Sequence, residues 1–208
     1  YTITDGTATD VGELVITVNP INDDPVAVDD TYSVDEDDSV VLTPLDDDTD
    51  VDGDVLSIQS INGTTFTGGE QTIAVDNGVV RIDAGGIITF TPDDDFNGSV
   101  TIPYTISDGN GGTATANQII TVNAVNDPPV AVDDSYSVDE DDSVVLAPLT
   151  GDSDIDGDGL TIESINGTPI AGGAQTIPVT NGTVTIDAGG IITFTPDANY
   201  NGPVSFPY

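Results

Sequence analysis

The chain repeats itself with a period of 104 residues. Shifting residues 25–104 by this period lays them on residues 129–208, where 23 of the 80 positions differ and the other 57 are identical. A period of this size predicts tandem copies of one small domain, each with its own core, and excludes a single large fold.

The two ends of the chain also fit the repeat. YTITDG at Tyr1 corresponds to YTISDG at Tyr104, so the chain begins within one copy. We therefore predict that residues 1–24 are the C-terminal strands of a preceding truncated repeat, that residues 25–128 form a complete repeat, and that residues 129–208 form a repeat lacking its last strands. Residues 1–20 are expected to form a loose hairpin or to pair with a neighbouring molecule.

Each repeat is built from short segments of alternating apolar and polar residues. These segments are rich in Val, Ile, Thr, Phe and Tyr, which suit half-buried strands, and none shows helical spacing. Turn signals such as Asn62-Gly63, Asn77-Gly78 and Asn97-Gly98 separate them. The segments in the complete repeat are 40–42, 56–61, 71–75, 79–82, 87–91, 100–107 and 116–122. The pattern predicts an all-β protein of tandem antiparallel Greek-key β-sandwiches, similar to immunoglobulin domains.

The charge of the chain is almost entirely negative. Arg81 is the single basic side chain against 38 acidic ones, and the net charge is -37. With 37% hydrophobic and 19% charged residues, the chain is too apolar for a disordered acidic tail. This charge excludes nucleic acid and anionic membranes as electrostatic partners, and no apolar run approaches the about 20 residues of a membrane span. Cations remain the natural partners.

Two loops place aspartates at every second position and close with a glycine. They read DTDVDGD and DSDIDGD, and their acidic residues are Asp48, Asp50, Asp52 and Asp54 in the first and Asp152, Asp154, Asp156 and Asp158 in the second. Calcium takes about six to eight oxygen ligands, and a sharply turned loop of carboxylates supplies them. Because the chain has almost no basic side chains to balance these charges, the loops predict sites for Ca²⁺.

The second loop also satisfies the EF-hand pattern. Asp152, Asp154, Asp156, Gly157 and Glu163 fill the required positions. The first copy has glutamine at the twelfth position, and both loops are preceded by proline and followed by strand-like alternation, so flanking helices are not expected. An EF-like loop between two strands, and a solvated run of aspartates, stay open as alternatives.

Several motifs in order carry a resemblance to a known family. The run YTISDGNGGTATANQIITVNAVNDPPVAVDDSYSVDEDDSVVL is followed by DSDIDGDGLTI and then by GGIITFTPDANYNG. It resembles the bacterial cadherin-like tandem repeats of large secreted calcium-dependent adhesins of the RTX and VCBS type, over the whole chain. The linkers INDDP and VNDPP differ from the longer linkers of classical cadherins, so the number of ions per junction stays open.

The resemblance implies calcium at the domain junctions. The first junction would use Asn22 and Asp23 of the linker with Asp50, Asp52 and Asp108. The second would use Asn126, Asp127, Asp154 and Asp156 with an acidic residue near the start of the preceding domain, Glu36. Glu36 and its repeat counterpart Glu140 lie in VDEDD segments, which could equally be charged loops that keep a sheet edge from pairing.

Catalysis has little support in the sequence. A serine nucleophile needs a base, and the chain has neither histidine nor lysine. A carboxylate pair could serve glycoside hydrolysis, but every acidic cluster lies in a loop crowded with other carboxylates. We therefore predict that the protein is not an enzyme.

Three functions remain. The repeats could be a structural spacer, or extender, of a large bacterial surface adhesin, with calcium making the junctions rigid. They could be recognition modules that bind a glycan or protein through the sandwich loops, or they could mediate homophilic cell contacts. Near-identical repeats favour the spacer, whose partners are calcium and the neighbouring repeats of the same chain. Weak acidic sites fill only where calcium is plentiful, so we expect an extracellular location on the surface of a bacterium.

Overall fold

The computed structural model describes all residues from Tyr1 to Tyr208, and they form strands and no helix. The prediction of an all-β sandwich fold is confirmed. The chain divides into two compact units, Tyr1–Val125 and Asn126–Tyr208. The strands are β1 (Thr2–Thr4), β2 (Thr9–Val11), β3 (Asp30–Asp35), β4 (Val40–Leu42), β5 (Ser57–Ile61), β6 (Thr64–Thr65), β7 (Gln71–Val75), β8 (Gly78–Ile82), β9 (Ile88–Pro92), β10 (Gly98–Ser107), β11 (Thr113–Asn123), β12 (Val144–Leu146), β13 (Ser164–Ile165), β14 (Thr168–Pro169), β15 (Gln175–Val179), β16 (Gly182–Ile186) and β17 (Ile192–Pro196).

The first unit contains two sheets that enclose one core. Their strand orders are β3-β11-β10-β5-β6 and β4-β9-β8-β7. Buried and exposed residues alternate along β8, β10 and β11, as expected for strands with one face toward a core. Val80 and Phe90 from one sheet and Ile102, Tyr104 and Ile120 from the other belong to the same buried cluster. Burial of these side chains is the main stabilising contribution to this sandwich.

One pairing in this unit is parallel. β11 pairs antiparallel with β10 along the whole of both hairpin arms, whereas β3 runs parallel to β11. The predicted antiparallel pattern therefore describes every pair in the sheet except this one. β3 begins the domain and β11 ends it, so no short hairpin fixes their relative direction. This pairing places the start of the domain beside its last strand.

The second unit repeats one of these sheets. β12, β17, β16 and β15 form a four-stranded antiparallel sheet, and β13 pairs with β14. Phe194 and Phe206 pack with ring centroids 5.9 Å apart. By the 104-residue period, residues 134–139 correspond to β3 and residues 202–208 to β10, but neither segment is a strand. In the first unit β11 lies between these two elements and pairs with both of them.

The first residues of the chain form a separate hairpin. β1 and β2 pair with each other in a two-stranded sheet, and residues 12–21 contain no strand. Leu14, Val15, Ile16 and Val18 are exposed, although the repeat aligns this segment with β11, where alternate residues are buried. A hairpin is one of the two states expected for residues 1–20. The assignment of residues 1–24 to a preceding repeat stays a prediction. The chain has no helix long and apolar enough to cross a membrane.

Candidate metal centre

The first aspartate loop is turned by one of its own carboxylates. Asp50 Oδ1 accepts hydrogen bonds from the backbone N–H groups of Asp52 at 2.8 Å and Asp54 at 3.2 Å. Gly53 has φ of 79°, in the left-handed region that glycine adopts without strain. The other oxygen, Asp50 Oδ2, is buried and has no hydrogen-bond partner. A buried carboxylate oxygen without a donor is costly unless a cation balances it.

The second part of the site is the turn between β10 and β11. Asp108 is 4% exposed, and its Oδ1 accepts hydrogen bonds from the backbone N–H groups of Asn110, Gly111 and Gly112. Its Oδ2 accepts a 2.7 Å hydrogen bond from the Asn22 side chain. The hydrogen bond from the Asn22 side chain, together with those from the backbone donors, holds the pKa of Asp108 below its usual range, although burial acts in the opposite direction. Asp108 is therefore an ionised carboxylate at neutral pH.

Three carboxylates of these loops converge. Asp50, Asp54 and Asp108 each offer an oxygen within 4.8 Å of the others. The Asn110 side-chain amide donates to Asp54 Oδ2 at 2.7 Å, whereas Arg81, the one basic side chain, lies on β8 in the other sheet. Oxygen ligands at this spacing, with one buried oxygen unpartnered, fit a hard divalent cation such as calcium.

The linker before the first domain is tied to both loops. The backbone N–H of Asp23 donates to Asp52 Oδ2 at 2.8 Å, and the Asn22 amide reaches Asp108 as described above. Further along, Val26 and Thr49 form an isolated antiparallel bridge. Residues 22–26 therefore run along the edge of the carboxylate cluster. Each of the five residues expected at the first junction makes a hydrogen bond to another of the five: Asn22 to Asp108, Asp23 to Asp52, and Asp52 to Asp50.

One acidic residue beside Asp108, Asp24 of the linker, was not among the ligands predicted from the sequence. A Cβ atom on Gly112 would overlap Asp108 Oδ2 and would lie 2.9 Å from Asp24 Oδ1, so both carboxylates pack over the same bare glycine. The sequence contained one signal for this position: the two linkers differ there, since the counterpart of Asp24 in the second linker is Pro128.

The first aspartate of each loop has a different environment. Asp48 Oδ1 accepts hydrogen bonds from the backbone N–H of Val28 at 2.8 Å and from the Tyr104 hydroxyl at 3.1 Å. Burial, followed by the hydrogen bond and charge of Asp48, raises the pKa of Tyr104. In the second unit Asp152 contacts the Tyr208 hydroxyl at 3.2 Å in the same way. The structure thus groups Asp48 and Asp152 with a tyrosine hydroxyl, and the metal-ligand role of these two residues stays a prediction.

The second aspartate loop folds like the first. Asp154 Oδ1 accepts the backbone N–H groups of Asp156 and Asp158, both at 3.1 Å, and Asp156 Oδ2 accepts the backbone N–H of Asp127 at 2.8 Å. In the linker, the Asn126 amide donates to the carbonyl of Asp127. The ligand roles of these residues stay a prediction.

The two glutamates differ in burial. Glu36 is 1% exposed, and its carboxylate accepts the backbone N–H of Val125 at 2.6 Å and the Asn97 amide at 3.3 Å. Glu140 is exposed and accepts a 3.4 Å bond from the Asn201 amide. Glu36 is therefore more than a solvated charge at a sheet edge. Glu163, the twelfth residue of the EF-hand pattern, is exposed, and no helix flanks its loop.

Asp30 is a partly buried acidic residue at the start of β3, the edge strand of its sheet. Its Oδ2 accepts a 2.6 Å hydrogen bond from the Gln118 amide, while Gln118 Oε1 is buried without a partner. Burial is the largest cause that raises the pKa of Asp30, and the nearby carboxylates of Asp48, Asp46 and Asp47 add to it. The ionised form is therefore disfavoured in the folded state.

We expect Asp30→Asn to stabilise the chain at pH 7. A raised pKa in the folded state means that folding favours the protonated acid, so the stability contribution of Asp30 falls as the pH rises above its ordinary value. The asparagine amide is neutral and can donate to Gln118 Oε1. Thermal melts at pH 7 and pH 4 should show a gain of a few degrees that shrinks at pH 4. Asp29→Asn, which removes the same charge at the adjacent exposed position, is the control, and equal gains for both variants would contradict this account.

Comparison with known proteins identifies a family for both repeats. A family model described as bacterial Ig domain matches residues 22–121 and 126–208. A search of curated proteins finds no match to the chain. Both matched segments begin at the asparagine of a linker, Asn22 or Asn126, one repeat period apart. The linker residues that contact the aspartate loops are thus counted within the domain that follows them.

Proposed function

Because the chain belongs to the bacterial Ig domain family, we propose that its repeats form a calcium-binding structural spacer of a large bacterial surface adhesin. Domains of this family are non-catalytic structural modules that typically occur in surface or extracellular proteins. The finer proposal has three parts: calcium is the bound ion, it makes the domain junctions rigid, and the repeats set the distance between a cell and a terminal adhesion domain.

The observation that carries the calcium proposal is the buried, unpartnered Asp50 Oδ2 within the cluster of three carboxylates. Asp50, Asp54 and Asp108 would hold the ion, and the linker residues Asn22 and Asp23 lie against the same loops. Calcium would supply the positive charge that the chain itself lacks. Ion binding would then fix the linker relative to the domain that follows it, since both sides contribute to one site.

The spacer proposal is supported by the similarity of the repeats and by the position of their aromatic residues. Phe90 and Tyr104, the largest core side chains of the complete repeat, are at most 1% exposed. A recognition module would be expected to present aromatic residues at its loop ends. The cadherin-like resemblance adds the RTX and VCBS adhesin context, an extracellular location, and calcium and neighbouring repeats as partners.

Small-angle X-ray scattering of the 208-residue chain tests the spacer. In about 5 mM calcium, which exceeds the ~10⁻⁴ to 10⁻³ M dissociation constants of extracellular calcium modules, we expect one narrow distribution of interatomic distances. In chelator the carboxylates of the junctions repel one another, so the distribution should broaden. Magnesium at the same concentration controls for ionic screening. Identical profiles with calcium, with magnesium and with chelator would overturn the proposal that calcium makes the junctions rigid.

A further inference from the structure

The linker residue Asp24 was not among the expected ligands, yet its carboxylate lies beside that of Asp108, one of the three carboxylates of the cluster. Its Oδ1 is 2.9 Å from the point where a Cβ of residue 112 would stand, and the same point is overlapped by Asp108 Oδ2. Two ligands of one calcium ion are at most about 5 Å apart, because each lies within about 2.6 Å of the metal. Two oxygens packed over one glycine meet this requirement.

Gly112 is the structural reason that the two carboxylates can approach. Its backbone N–H donates to both oxygens of Asp108, at 3.0 Å each, and the missing side chain leaves the space that Asp24 enters. Any side chain at this position would compete with both carboxylates for that space. The turn therefore combines a fixed acidic ligand with room for a second one from the linker.

The second linker removes this carboxylate. Residues 22–25 read Asn-Asp-Asp-Pro, whereas residues 126–129 read Asn-Asp-Pro-Pro, so Pro128 replaces Asp24 while the aspartates at 50, 52 and 54 are all repeated. Proline offers no side-chain oxygen and no backbone donor. The affinity of calcium sites depends on the number of charged ligands, so this single difference changes the expected affinity.

We propose that Asp24 is a further ligand of the calcium site at Asp50, Asp54 and Asp108, and that it makes this site tighter than one built on a proline-containing linker. This inference rests on the proposed calcium function. Asp24 adds a full negative charge beside three others, and it comes from the linker, so its bond to the ion ties the linker directly to the turn at Gly112. The repeats of one chain then differ in the calcium concentration at which their linkers become fixed.

The test is a calcium titration of the full chain followed by NMR. The backbone amide signals of Gly111 and Gly112 report this site alone, because these N–H groups donate to Asp108. Loss of the Asp24 charge should raise the calcium concentration at half-saturation about tenfold in Asp24→Asn, and at least as much in Asp24→Pro, which copies the second linker. Asp76→Asn removes the same charge from the exposed turn between β7 and β8, where the second repeat has Thr180, and should leave the midpoint unchanged.

The outcomes separate the two proposals. If calcium at millimolar concentration does not move the Gly111 and Gly112 signals of the unmodified chain, the calcium site itself is wrong. If calcium moves them but Asp24→Asn and Asp76→Asn have the same midpoint as the unmodified chain, the site stands and Asp24 is not a ligand. A chemical-shift map of each variant without calcium checks that the fold is intact.

Discussion

Calcium is expected to raise the melting temperature of the first domain by about 10 °C or more when it is present at a hundred times its dissociation constant. Binding to the folded state alone contributes about 2.7 kcal/mol under that condition. A domain of about 100 residues shifts by about 4 to 8 °C per kcal/mol. The physical cause is the cluster of Asp50, Asp54 and Asp108, which without a cation contains like charges and one unpartnered buried oxygen. Differential scanning calorimetry with calcium and with chelator measures the shift.

Magnesium is the control for this experiment, because it demands near-ideal octahedral geometry and gives up its waters reluctantly. We expect it to produce a clearly smaller shift at the same concentration. The core of Val80, Phe90 and Ile102 does not depend on the ion, so the domain should still unfold cooperatively in chelator. Equal melting temperatures with calcium and with chelator would contradict the site.

Asp50→Asn is expected to have opposite effects with and without calcium. Asparagine retains the oxygen that accepts from Asp52 and Asp54, and it replaces the unpartnered oxygen by an amide that can donate to a neighbouring carboxylate. Without calcium the variant should therefore melt a few degrees higher than the unmodified chain. With calcium it should melt lower, because most of the stabilisation by the ion is lost.

The control for this reversal is Asp46→Asn, which removes the same charge from an exposed position in the segment leading to the same loop. The second repeat has Thr150 there, so the position tolerates a neutral residue. Asp46→Asn should change both melting temperatures in the same direction and by little. A parallel response of the Asp50 and Asp46 variants would show that net charge alone accounts for the effect.

Local patterns in the sequence predicted most of the strands. Alternating burial made β8, β10 and β11 recognisable, and Asn-Gly pairs predicted the hairpin turns. Asn62 and Asn77 both have positive φ, followed by a glycine that also has positive φ. The segments and the turns between them follow from interactions among neighbouring residues, which is why one sequence sufficed.

Contacts between distant segments could not be predicted in the same way. The parallel pairing of β3 with β11 joins residues almost 90 positions apart, and no local signal fixes its direction. The Asp-x-Asp-x-Asp spacing correctly marked two acidic loops, but it could not distinguish Asp48, which contacts Tyr104, from Asp50, which faces the cluster. Asp24 was missed because its place depends on the space left by Gly112, 88 residues further along the chain.

The central claim is that the carboxylate cluster binds calcium, and isothermal titration calorimetry tests it most directly. Calcium is titrated into the unmodified full chain and into Gly112→Ala, and the two are compared. The substitution changes no charge, but its Cβ would overlap Asp108 Oδ2 and crowd Asp24. Gly69→Ala, at a glycine with open space around it, is the matched control. The calcium-site account predicts that the unmodified chain and Gly69→Ala bind calcium equally, and that Gly112→Ala loses one ion or binds it at least tenfold more weakly. No calcium binding by the unmodified chain, or the same number and affinity of ions in all three proteins, would contradict it.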